Sequence, residues 1–149
     1  MFGDDINTDL IIQGRYLTML DYSEMAKHTF EIPKPEFAKE VKPNDIVVAG
    51  RNFGGGSSRE EAPAVLKTLG IGCVVAESFA RIFYRNGFNI GLPLMVAPGI
   101  TAEIEDGALV TIDFKEGKLT IDGSKILSGE PFPVLMQEML EAGGAVQMY

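Results

Sequence analysis

At 149 residues, 46% hydrophobic and 23% charged, the chain can bury the core of one domain and lacks the composition of a disordered segment. Its net charge of −8 argues against a nucleic-acid or anionic-membrane partner, so an anionic substrate would have to be held by local positive groups. Apolar runs such as GIGCVVA fall far short of the roughly 20 residues of a membrane span, and a single cysteine (Cys73) and a single histidine (His28) exclude an internal disulfide and any cysteine- or histidine-rich metal site within the chain.

The opening MFGDDINTD carries acids where a signal peptide carries bases and an apolar run, which makes the cytoplasm the expected compartment. Asp4, Asp5 and Asp9 read as turn and cap residues rather than as a metal cluster. YSEMAKHTF suggests a short helix, and EIPKPEF a proline-punctuated connection. NDIVVAG (44–50) and CVVAESF (73–79) are short apolar runs bounded by turn residues, as buried strands are; Cys73 reads there as a small buried hydrophobe. Between them Ala62, Val65, Leu66 and Leu69 recur at the spacing of one helix face, with Gly70 as the stop. Ser58 and Glu61 fit a capping box, but Pro63 is comfortable only in a first turn, so the regular helix is expected from Glu60 or Glu61. Strand, glycine loop, helix, strand is a βαβ unit with a right-handed crossover.

FARIFYRNGF (79–88) predicts a helix ended at Gly87, and GLPLMVA (91–97) a third buried strand. ALVTIDF and KLTID alternate like an antiparallel hairpin, and PFPVLMQEMLEAGG predicts a closing amphipathic helix with a glycine stop. No repeat or linker divides the chain, so residues 1–149 are expected to form one α/β domain with a mixed sheet.

The loop NFGGGSSREE (52–61) sits where backbone N–H groups and a helix dipole converge on an anion. A phosphate loop would need a lysine before the serine, and both the dinucleotide fingerprint and the nucleophile elbow would need glycine where Arg59 stands. What remains is a serine beside an arginine, and arginine clamps a carboxylate with two parallel hydrogen bonds. A serine without a histidine acts as a base only where N–H groups and cations stabilise its alkoxide, and the motif supplies both. The alternative is that Ser57 and Ser58 only cap the helix.

NFGGGSSREEAP followed by ESFARIFYRNGFNIGLPL, with DDINTDLIIQGRYL ahead of them, resembles the swivel domain of the aconitase superfamily. Within it the likeness is to the family of separate small subunits of 3-isopropylmalate dehydratases and homoaconitases. It covers about the first 97 residues, and the remainder fits in order and length. The resemblance implies an aconitase-type swivelling β/β/α domain and a large-subunit partner. That partner would hold a [4Fe–4S] cluster through three cysteines, with none bound by this chain. The implied reaction dehydrates and rehydrates a small dicarboxylate, turning 2-isopropylmalate into 3-isopropylmalate in leucine biosynthesis. By position, Ser57 would remove the proton α to a carboxylate, Arg59 would bind a carboxylate, and Ser58 would assist from its hydroxyl or N–H. The lone cysteine agrees independently, because one thiolate cannot hold such a cluster.

The family more often has cysteine at Gly55 and histidine at Glu61, and many relatives carry a short strand ahead of FGDDI. Without that strand a sheet edge would stand open to a partner or a second copy. Arg81 and Arg85 are expected to be packing and interface residues. In relatives the segment matching GRYLTML (14–20) faces the substituent of the malate, and tricarboxylate users resemble YLRT there. Here Thr18 takes the arginine's place, followed by Met19 and Leu20, so alkyl-substituted malates are expected: isopropylmalate first, dimethylmalate or citramalate next. The other reading of Met19 and Leu20 is packing beneath the loop. The alternatives for the whole chain are a small subunit of a dimethylmalate, citramalate or homoaconitate dehydratase, or a non-catalytic carboxylate-binding module of the same fold.

Overall fold

Three apolar runs, Ile46–Ala49 (β1), Cys73–Ala76 (β2) and Leu94–Val96 (β3), form a parallel sheet in the order β1-β2-β3. All four residues of β2 are buried, as a central parallel strand covered on both faces must be. In register, Ile46 lies opposite Cys73, and Val74 opposite Leu94. The computed structural model describes residues 1–57, 59–132 and 134–141.

Ahead of the sheet come α1 (Thr8–Ile11), a 3₁₀ turn over Gly14–Tyr16, α2 (Tyr22–Ala26) and α3 (Phe37–Glu40). The crossover helices are α4 (Glu61–Thr68) between β1 and β2, and α5 (Arg81–Asn89) between β2 and β3. Then follow α6 (Ile100–Glu103), three strands β4 (Val110–Asp113), β5 (Lys118–Ile121) and β6 (Lys125–Ser128), and α7 (Val134–Glu141). The strands β4, β5 and β6 make an antiparallel meander. The α/β class is as expected, but parallel and antiparallel pairing are divided between two three-stranded sheets rather than combined in one mixed sheet.

One helix end and one helix cap differ from the sequence reading. Helix α5 runs through Gly87 to Asn89. A side chain at Gly87 would come within 2.5 Å of Leu94, so this glycine lets the helix approach β3, and the chain turns at Gly91, with φ 84°. Helix α4 begins at Glu61, as expected, but its N-cap is Glu60, which makes no side-chain capping bond. The capping box of Ser58 and Glu61 therefore does not mark the helix start, and Ser58 lies outside the described residues. Helices α3 and α6, of four residues each, and β6 have no counterpart among the expected elements. The glycine stop after α7 falls outside the described residues.

One aromatic chain ties the core to the glycine loop. Phe53, the residue before the three glycines, is wholly buried. Its ring centroid lies 6.4 Å from that of Phe30 and 5.3 Å from that of Phe83 on α5, within the range of favourable edge-to-face pairs. The open edge of β1 is partly covered: Phe2 N–H donates to Val48 O at 2.8 Å and Gly50 N–H to Gly3 O at 3.1 Å.

Candidate active site

The glycine loop leaves the carboxyl end of β1, where parallel α/β sheets place their ligands. It is held from two sides. On one, Phe53 N–H donates to Ser78 O and Ala80 N–H to Phe53 O. On the other, residues 4–8 run alongside it. Arg51 N–H donates to Asp4 Oδ1 at 2.8 Å, Gly54 N–H to Ile6 O at 2.7 Å, Thr8 N–H to Gly55 O at 2.9 Å, and the Thr8 hydroxyl to Ser57 O at 2.9 Å. Gly54 and Gly56 have φ of 85° and 90°, which glycine adopts without strain. The carbonyls of residues 55 and 57 are thus occupied, while among the described residues nothing accepts from the N–H groups of Gly55, Gly56 and Ser57.

Ser57 is exposed and lies three residues before the α4 N-cap. It is not the capping residue, and no described group hydrogen-bonds its Oγ. Arg59 is held firmly. Its Nη1 donates to Asp9 Oδ1 at 3.0 Å and to Ile12 O at 3.1 Å, and its side chain is only 19% exposed. The guanidinium, and then the Gly14 N–H at 3.1 Å, hold the Asp9 carboxyl below the usual carboxylate range. Among the described residues nothing accepts from Arg59 Nε or Nη2, so one edge of the fork stays open. Ser57 and Arg59 share a small cleft of about 20 Å³ with Thr8, Ile82 and Asn86.

Asp4 and Asp5 lie in the irregular segment ahead of α1, whereas Asp9 stands in the first turn of α1 and is neither a turn residue nor the N-cap, which is Asn7. All three reach the loop region: Asp5 Oδ1 accepts from Asn52 Nδ2 at 3.2 Å. The sequence reading missed Asp9 as the partner of Arg59, because 50 residues separate them. It also missed Ile82 and Asn86, which the aromatic stretch concealed. Arg81 and Arg85 stand exposed on α5, with no carboxylate among the described residues in ion-pair range. The packing on that helix is done by Phe83 and Phe88.

Thr18, Met19 and Leu20 do not line this cleft. They follow the 3₁₀ turn, with Met19 N–H donating to Tyr16 O at 3.1 Å. Thr18 is exposed, Met19 is half-buried against the core, and Leu20 stands fully in solvent. The packing reading therefore holds for Met19 and fails for Leu20. Beside the turn, Tyr16 and then His28 hold the Glu31 carboxyl down at about 2.

A larger groove, about 610 Å³, lies along β1 beside Met1, Phe37 and Leu109. Glu36, Glu40, Glu105 and Asp106 on its walls would repel an anionic substrate, and it contains none of the predicted site residues. Cys73 is buried in β2, and burial pushes its thiol well above the ordinary range, which opposes the thiolate form that metals require. Among the described residues no cluster of three histidines, cysteines or acids is disposed to hold a metal ion, and no helix is long and apolar enough to cross a membrane.

Residues 5–99 match the family described as "Aconitase C-terminal domain". The 3-isopropylmalate dehydratase small subunit 1 of Methanopyrus kandleri is 52% identical over 149 residues, covering 99% of this chain and 88% of the relative. A methanogen homoaconitase small subunit from Methanothermobacter thermautotrophicus is 48% identical over 149 residues, covering 99% and 86%. The crystal structure of 3-isopropylmalate dehydratase from Methanocaldococcus jannaschii superposes with a TM-score of 0.92 at 46% identity, covering 98% of this chain and 87% of that one.

Proposed function

The chain belongs to the aconitase C-terminal domain family, as a small subunit of the 3-isopropylmalate dehydratase kind, and we propose that its share of that hydro-lyase reaction is to move the substrate proton and to hold a substrate carboxylate. The observation that carries this is that one cleft is lined by Ser57, whose hydroxyl no described group engages, and by Arg59, whose Nε and Nη2 no described group engages. The large subunit of the heteromer completes the enzyme. We assign the [4Fe–4S] cluster to that subunit, since the donors of this chain do not fit one: its thiol is buried and protonated.

On this chain the chemistry runs as follows. A substrate carboxylate takes two parallel hydrogen bonds from Nε and Nη2 of Arg59, the edge that Asp9 leaves free. Asp9 and Ile12 O fix the guanidinium so that little side-chain freedom is lost on binding. The N–H groups of Gly55, Gly56 and Ser57 and the nearby guanidinium hold the Ser57 oxygen as an alkoxide; it takes the proton α to the carboxylate and becomes the neutral hydroxyl as hydroxide leaves the adjacent carbon toward the large subunit, and it returns the proton when water adds back. Ser58 keeps the assisting role expected of it. Arg59→Lys retains the charge and loses the fork. Because hydrogen bonds to charged groups contribute about 1.5–3 kcal/mol, KM should rise roughly tenfold or more while kcat changes less, as steady-state kinetics on the heteromer will show.

The substrate is an alkyl-substituted malate, isopropylmalate first. Thr18 gives an extra carboxylate no cationic partner, and Met19 with Leu20 offers an apolar side. The second reading, a tricarboxylate of the homoaconitate type, is favoured by the 48% identical homoaconitase small subunit. The test is Thr18→Arg. Wild type should prefer isopropylmalate, and the variant should shift the kcat/KM ratio toward the tricarboxylate by about tenfold, the worth of one charged hydrogen bond. A wild type that already favours the tricarboxylate, or an unchanged ratio, removes the alkyl reading.

A further inference from the structure

Outside the glycine loop, a polar cluster among the described residues centres on one carboxylate. Glu31 Oε1 accepts from Tyr16 Oη at 2.6 Å, Arg15 Nη2 at 3.1 Å and Gln13 Nε2 at 3.4 Å, while Oε2 meets His28 Nδ1 at 2.7 Å. The His28 ring stacks on Tyr16 at 3.9 Å with an interplanar angle of 10°. Three of these four contacts come from residues 13–16. Those residues start a run of turns in which Tyr16 N–H donates to Gln13 O, Leu17 N–H to Gly14 O and Met19 N–H to Tyr16 O, each at 3.1 Å. The same run is held at its beginning by Asp9, through Gly14 N–H and Arg59. It is therefore fixed at two points, one shared with the carboxylate clamp and one at Glu31, and it ends at Thr18–Leu20, of which Met19 packs against the core.

We propose that Glu31 is a positioning residue that holds residues 14–20 in the conformation that meets the substrate's substituent, an inference that rests on the reading of Thr18, Met19 and Leu20 given above. Glu31 is about one-third exposed, at 32%, where an isolated ion pair contributes little stability. Four contacts on one carboxylate nonetheless define the orientation of a short turn, because each restricts the geometry open to the others.

Glu31→Ala, Glu31→Gln and Tyr16→Phe in the reconstituted heteromer test this. KM for isopropylmalate should rise about fivefold in Glu31→Ala, with kcat within twofold, the pattern of lost uniform binding. Glu31→Gln, which still accepts from Tyr16, should recover part of the loss. Tyr16→Phe, which keeps the stack on His28, should move KM in the same direction and be non-additive with Glu31→Ala. Amide hydrogen exchange at 14–20 should quicken in step. Unchanged exchange overturns the holding role alone and leaves the substituent reading to Thr18→Arg. Faster exchange with unchanged KM overturns both, and a lower melting temperature with unmoved KM reduces Glu31 to a stabilising contact.

Discussion

Ser57→Ala in the reconstituted heteromer should lower kcat by about 10³-fold, within the span that a positioned base and its charge stabilisation supply. Association of the subunits should be unaffected. The structure adds a condition that separates catalysis from folding: the α4 N-cap is Glu60, so the alanine removes no cap and leaves no described hydrogen bond of Oγ broken. Its melting temperature should stay within about 1 °C of wild type, as for an exposed substitution without a structural partner. KM should move less than kcat, because Arg59 and its anchor at Asp9 are intact. A kcat within tenfold of wild type would show that another group takes the proton.

Gly54→Ala should be strongly destabilising. The residue has φ 85°, and an added Cβ would collide with the ring of Phe83, which is 2% exposed and cannot yield into solvent. The left-handed conformation costs a non-glycine residue about 1–2 kcal/mol, and forcing the ring aside costs about 1–3 kcal/mol more. Against a total stability of order 5–15 kcal/mol this should lower the melting temperature by roughly 10 °C and abolish activity in what remains folded. Gly107→Ala is the control. It has φ 90° but nothing within 4 Å of an added Cβ, so it should show the backbone cost alone and leave kcat untouched. Equal losses in the two variants would mean that the Phe83 contact is soft.

The strands β1, β2 and β3 were readable because a strand buried on both faces must be apolar throughout, and each of these runs is bounded by turn residues. The glycine loop was readable as a site because its residues are contiguous. Gly87 was misread because its reason lies across space, in Leu94 of β3, and a glycine inside a helix looks the same in sequence as one that ends it. Asp9 escaped for the same cause: a carboxylate near the start of the chain matches a turn residue until Arg59 is folded against it. Glu31 gave no signal, since three of its four partners sit 15 to 18 residues before it and only His28 stands at a local spacing. Thr18, Met19 and Leu20 were found through likeness rather than spacing, and they do not line the cleft.

The ties between the N-terminal segment and the glycine loop have nearly equal spans: 47 residues from Asp4 to Arg51, 49 from Thr8 to Ser57 and 50 from Asp9 to Arg59. Closing a chain loop of that size costs about 3.5 kcal/mol of entropy beyond a constant. Once one tie forms, the others close loops of only a few residues. The ties therefore assemble as a zipper, with the entropic barrier at its first tooth. Ser57 and Arg59 acquire their geometry through one closure, and a cut between residues 9 and 14 would turn these ties from intramolecular into intermolecular contacts without changing a residue of the glycine loop.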